Sequence, residues 1–237
     1  MNARDSRQSR PARAPAPEIP EDVTARDLDR DVRRALQSLP DRTADVVARH
    51  LVMAGVHLAD DPALAHRHAR AARDRASRVG VVREAVGETA YAAGKYEEAL
   101  RELRAARRMT GRADYAPIMA DCERALGRPE RALDIDSAQV RDKLDAAGVA
   151  ELAIVVAGAR RDLGQPEAAL RALERESLHS KSREVWVARL RYAYADTLAE
   201  LGRVTEAEEW FHRVVAVDGN RATDAEERLE ALHNESR

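Results

Sequence analysis

Cysteine is almost missing. Cys122 is the only one in 237 residues, so no disulfide can form within the chain and a reducing, cytoplasmic setting is expected. Aromatic residues make up 3% of the sequence, with a single phenylalanine, Phe211. The core must therefore come from Ala, Leu and Val, which suits close helix packing and argues against a sheet-rich fold. Long apolar runs are absent too. The longest, about Leu152 to Ala159, falls far short of the roughly 20 residues that cross a bilayer, and the opening MNARDSRQSR has no secretory character. No membrane partner is expected. Lysine is confined to Lys95, Lys143 and Lys181, and arginine carries the rest of the positive charge. Ala/Arg richness follows from high-GC coding, so arginine number alone does not indicate nucleic acid.

Catalytic and metal motifs are also lacking. There is no phosphate loop, no Gly-x-Ser-x-Gly and no His-Glu-x-x-His. Asp134-Ile135-Asp136 starts like a calcium loop but lacks its glycine and its final glutamate. His66 and His68 point to different faces of one helix. His50 and His57 are two turns apart, roughly 10 Å along the axis at 1.5 Å per residue. These histidines read as ordinary surface or groove residues, and Cys122 as a small buried apolar one. No cofactor, no metal and no enzymatic activity are expected.

What is present is a recurring break. Gly94, Gly127, Gly164 and Gly202 lie 33, 37 and 38 residues apart, and five residues after each comes an alanine: Ala99, Ala132, Ala169 and Ala207. Each glycine closes one helical pattern shortly before another begins. A period in this range indicates stacked helix pairs. Proline at helix starts (Pro62, Pro129, Pro166) and glycine past a helix end (Gly80) fit the same scheme. Before it, residues 1–21 read as a disordered Pro/Arg-rich tail. A first helix spans 22–39, capped by Thr24 with Asp27. After it, a capping helix spans about 222–233. The fold class is all-α, with one elongated domain over 22–235.

Gly80 to Thr110 carries Val86-Gly87, Tyr91, Gly94, Tyr96, Ala99, Leu103 and Ala106. Met119-Ala120 and Ala132-Leu133, then Val156-Ala157, Ala169 and Leu173, then Tyr194-Ala195, Leu198, Ala207 and Phe211 keep the phase. These residues resemble the tetratricopeptide repeat, a helix-turn-helix unit of about 34 residues. The resemblance implies a right-handed superhelical solenoid of about five helix pairs over roughly 43–218, whose first helices line a concave groove. Groove positions would then be Val81, Glu84, Glu88, Tyr91 and Ala92; Asp114, Pro117, Asp121, Arg124 and Ala125; Glu151, Ile154, Gly158, Arg161 and Asp162; and Arg189, Tyr192, Asp196, Ala199 and Glu200. Eight of these are carboxylates and three are arginines. An acidic groove prefers a basic ligand, so the expected partner is a protein or extended peptide with basic segments. Arg4, Arg7, Arg10 and Arg13 form one edge of a polyproline strip that such a groove could receive. The arginines at 67–78 and 101–108 fall on second helices, implying a solvated convex face. RNA bound by this face is an alternative partner. Residues 1–112 carry formal charge +5 and 113–237 carry −7, so weak head-to-tail self-association is another.

Overall fold

The computed structural model describes residues 15–235, and within them the chain is all-helical, with thirteen α-helices and no strand. A 3₁₀ turn at Ala25–Asp27 precedes α1 (Arg30–Leu36), α2 (Asp41–Val56), α3 (Pro62–Ala76), α4 (Gly80–Ala92), α5 (Tyr96–Thr110), α6 (Ala116–Ala125), α7 (Pro129–Leu133), α8 (Ala138–Arg141), α9 (Ala146–Asp162), α10 (Pro166–Glu174), α11 (Val185–Glu200), α12 (Val204–Val215) and α13 (Ala225–Glu235). Five hairpins follow one another: α2/α3, α4/α5, α6/α7, α9/α10 and α11/α12. The second helix of each packs on the first helix of the next, and the first helices α2, α4, α6, α9 and α11 also touch in sequence. The result is a helical, repeat-like array.

The turn inside each of the last four hairpins is set by its glycine. Gly94, Gly127, Gly164 and Gly202 have φ between 69° and 73°, and a Cβ at any of them would meet nothing within 4 Å. Glycine is needed there for its backbone freedom, not for space. The bonding is the same in all four. The N–H after each glycine donates five residues back, as in Lys95 to Ala90 (2.7 Å) and Arg128 to Glu123 (2.9 Å), and Gln165 and Arg203 repeat the pattern. The glycine's own N–H donates three back. Both bonds satisfy carbonyls that the helix end leaves open. Ala99, Ala132, Ala169 and Ala207 are fully buried, and on α4 a Cβ at Gly87 would come within 2.4 Å of Leu103. Small residues thus set how closely the paired helices approach.

Several boundaries differ from the sequence reading. The expected helix over 22–39 is broken. The Thr24–Asp27 capping box forms, but Leu28 and Asp29 are extended and Asp29 caps α1 afresh. The chain is already pinned within the expected tail. Arg49 donates to the carbonyls of Pro20 and Val23 (both 2.8 Å), and Pro15 and Pro17 lie beside Arg67, Arg70 and Arg75 of α3. Arg4, Arg7, Arg10 and Arg13 lie outside the described residues. The last helix starts three residues later than expected, because Asp218 accepts bonds from Ala222 and Thr223 and holds them in a loop. No described helix is long and apolar enough to cross a membrane.

The core contains charge. Glu102 is buried beneath Arg73 (2.9 Å), Arg83 (2.6 Å) and Arg101 (3.4 Å). Glu123, fully buried, is held by Arg104, with Arg128 at 3.6 Å. The arginines read as a solvated convex face are therefore divided. Arg73, Arg101 and Arg104 reach buried acids, the last two while themselves exposed, and Arg67, Arg70, Arg78, Arg107 and Arg108 are exposed without such a contact. His50, His66 and His68 are buried as well, which corrects their reading as surface or groove residues. His66 meets Thr89 (3.3 Å) and Glu98 (3.1 Å). His68 faces the other way, its Nδ1 3.0 Å from Nδ1 of His50, with His57 stacked on its ring at 5.9 Å. Cys122 is buried, which pushes its thiol up to about 12.

A bond between two imidazole Nδ1 atoms needs one of them bare, so at least one of the two rings is neutral. Burial lowers both from 6.5 to about 4, helped for His50 by His68, Arg75 and Arg49, and for His68 by His57 and Arg67. The unfolded chain therefore binds more protons than the folded one between about pH 6.5 and 4. The stability that this pair contributes is complete above that window and is lost as pH falls through it. The melting temperature is expected to drop by several degrees from pH 7 to pH 5, and less in His50→Leu/His68→Leu; equal drops in both proteins would show that the acid sensitivity lies elsewhere. Separately, Ala99→Leu should overpack the α4/α5 contact by about 1–3 kcal/mol and lower the melt by several degrees; an unchanged melt would mean that the contact has slack.

Candidate functional site

The first helices α4, α6, α9 and α11 present a common face, and it carries the residues singled out in the sequence. Tyr91 on α4 donates to Asp121 on α6 (2.7 Å). Arg124, also on α6, reaches Asp121 (3.1 Å) and spans to Asp162 on α9 with Nε (2.8 Å) and Nη2 (3.3 Å). Arg161 on α9 spans to Asp196 on α11 (2.8 Å) and to Glu200. Arg189 on α11 reaches back in a two-pronged bond to Glu151 on α9 (2.6 and 2.9 Å). Arg228 on α13 closes the row on Asp196 (2.6 Å). Arg124, Arg161 and Arg189 each cross from one first helix to a neighbour, with partners 35 to 39 residues apart.

Gly158 makes this ladder possible at α9. A Cβ there would sit 2.6 Å from the Arg124 guanidinium, so the glycine lets that flat group lie over the helix. Beside it opens a hollow of about 470 Å³, lined by Arg124, Ile154, Gly158, Arg161, Tyr192 and Asp196, with Thr223 and Asp224 at its far side. Burial, with the Asp224 carboxylate beside it, pushes the Tyr192 hydroxyl well above its ordinary range. Arg189 also feels Tyr91 of α4, although α4 and α11 are not neighbours in the array.

The charge on the face differs from the count of eight carboxylates to three arginines. Two arginines outside those positions, Arg112 and Arg228, join it. Arg112 pairs with Asp114 (2.5 Å) and approaches Glu84 (4.0 Å). Seven of the eight carboxylates thus have a guanidinium within 4.0 Å. The exception is Glu88, which meets no cation among the described residues. Glu84, one turn before it on α4, is buried. Burial raises both carboxyls above the usual range, and Glu84 raises Glu88 further. Tyr115 stands by the same pair, its hydroxyl pushed up by burial and by Glu88 and Glu84. The negative charge of this face is concentrated at its α4 end.

Arg112, Tyr115 and Arg228, which lie off the first-helix groove positions named in the sequence, stand beside those residues. Nothing local in the sequence marks them. Among the described residues no group of three or more His, Cys, Asp or Glu is placed to hold a metal ion. No protein-family model matches this chain, and no curated protein matches it.

Gly158→Ala is expected to push Arg124 off Asp162 while leaving the fold intact. Exposed pairs are worth about 0.2–1 kcal/mol, so the melt should fall by no more than a few degrees, and the difference from the parent should shrink at high salt. A large loss that salt does not change would place the cost in helix packing instead.

Proposed function

We propose that this chain is a tetratricopeptide-like α-solenoid that works as a non-enzymatic protein-interaction module, and that the face of α4, α6, α9 and α11 receives an extended peptide with a basic side chain. The observation that carries this reading is Glu88. It is half-buried, beside a second raised carboxyl and Tyr115, and lacks the guanidinium that every other carboxylate of the face has. A ligand ammonium or guanidinium placed there would relieve the repulsion between Glu84 and Glu88, and Tyr115 offers it aromatic contact. The hollow at Ile154 and Tyr192 would take the following part of the peptide, with the arginine ladder meeting its backbone carbonyls.

The reading also sets a pH dependence. The carboxylates attract a cation only when ionised, and their titration is raised, so affinity should fall on acidification through the mildly acidic range and recover above it. The test is a titration of the full chain with two eight-residue proline-containing peptides, one carrying arginines and one carrying glutamates at the same places. The basic peptide should bind, and Glu88→Gln should weaken it roughly three- to tenfold, in line with about 1 kcal/mol for one partly screened pair. Equal binding of the acidic peptide, or an affinity unchanged by Glu88→Gln, would exclude this mode of recognition.

A further inference from the structure

One second helix is cut short. α7 has five residues, whereas α3, α5, α10 and α12 have nine to fifteen. After α7 the chain turns through Asp134–Ser137 into the short α8 instead of covering the last turn of α5. An open hollow of about 500 Å³ remains between α5, α6 and α8, within the usual range of ligand sites, about 300–1,000 Å³. Its floor is apolar, made by Met119, Ile135 and Val140, and its rim carries Arg107, Arg108 and Lys143.

We infer that this hollow binds a small organic phosphate, the phosphate held between Arg107, Arg108 and Lys143 and the uncharged body covering Met119 and Ile135. Elsewhere in the array arginines near buried surface are engaged: Arg104, in this same wall, holds Glu123, and Arg73 and Arg83 hold Glu102. Arg107 and Arg108 have no carboxylate partner among the described residues. Lys143 is oriented by donating to the Gly111 carbonyl (2.9 Å), which leaves its other N–H groups for a ligand. Asp134 is the one carboxylate in the lining, so the rim is net positive. Planar guanidinium groups match phosphate oxygens two at a time. A bare inorganic anion would leave the apolar floor uncovered, so the ligand has an organic body. The hollow shares no lining residue with the groove positions of the α4–α11 face and does not depend on the peptide reading.

The probe is adenosine 5′-monophosphate, titrated into the full, isotope-labelled chain and followed by NMR at the Gly111 and Ser137 amides and the Met119 methyl. Saturable shifts are expected, weaker with inorganic phosphate and absent with adenosine. Arg107→Gln/Arg108→Gln should weaken binding roughly tenfold, the loss of one or two charged hydrogen bonds, with the helical circular-dichroism signal unchanged. The inference is overturned by no saturable shift at these three positions, by an equal response to adenosine, or by an affinity that the double variant leaves intact. Tighter binding of a 5′-phosphorylated RNA tetramer than of the mononucleotide would overturn the assignment to a small ligand.

Discussion

The left-handed turn that ends the first helix of each of the last four hairpins is the constraint on which the rest depends. At Gly94, Gly127, Gly164 and Gly202 the chain reverses through the same φ and the same pair of hydrogen bonds. After each turn an alanine five residues on is fully buried. A larger side chain there would force the axes apart; a different backbone at the glycine would aim the returning helix elsewhere. Only with both in place do the first helices fall into a row, and only the row puts Arg124 opposite Asp162 and Arg161 opposite Asp196.

Charge plays two parts in this array. Buried or half-buried carboxylates are met by arginine almost everywhere, as Glu102, Glu123 and the face acids show. Removing one partner of such a pair costs more than the pair contributes, because the other charge is left in a poor solvent. The ion pairs therefore act mainly as a specification of which helix faces which. Against that background the departures are informative. Among the described residues, Glu88 on one side and Arg107 and Arg108 on the other lack the partner that the pattern elsewhere supplies, and the two arginines border an open hollow.

The helical class, the hairpin turns and the buried alanines were legible in the sequence, since each rests on residues a few positions apart: a glycine, a proline, an alanine in phase. The face was legible to the extent that helical register assigns residues to one side. What was not legible depends on neighbours a full hairpin away. That Arg161 would meet Asp196 and Glu200, or that Arg228 would come in from α13, follows from how one hairpin stacks on the next, and no local pattern encodes that stacking. The burial of His50 and His68 went unread for the same reason: each is unremarkable on its own helix, and they become a pair only where α2 meets α3. The break in the first helix at Leu28 and Asp29 was hidden because Asp29 is as good a cap as it is a helix-surface residue.

The scarcity of aromatic residues has an optical consequence. Both tryptophans belong to the last hairpin: Trp186 opens α11, and Trp210 lies on α12 with its ring 4.9 Å from Tyr194 and beneath the Arg213 guanidinium. The histidine pair and the first three hairpins contain no tryptophan. Emission excited at the indole band therefore senses only one end of the array, whereas far-ultraviolet ellipticity averages over all of it. Comparing the two signals distinguishes an array that loosens from α2 from one that loosens from α13.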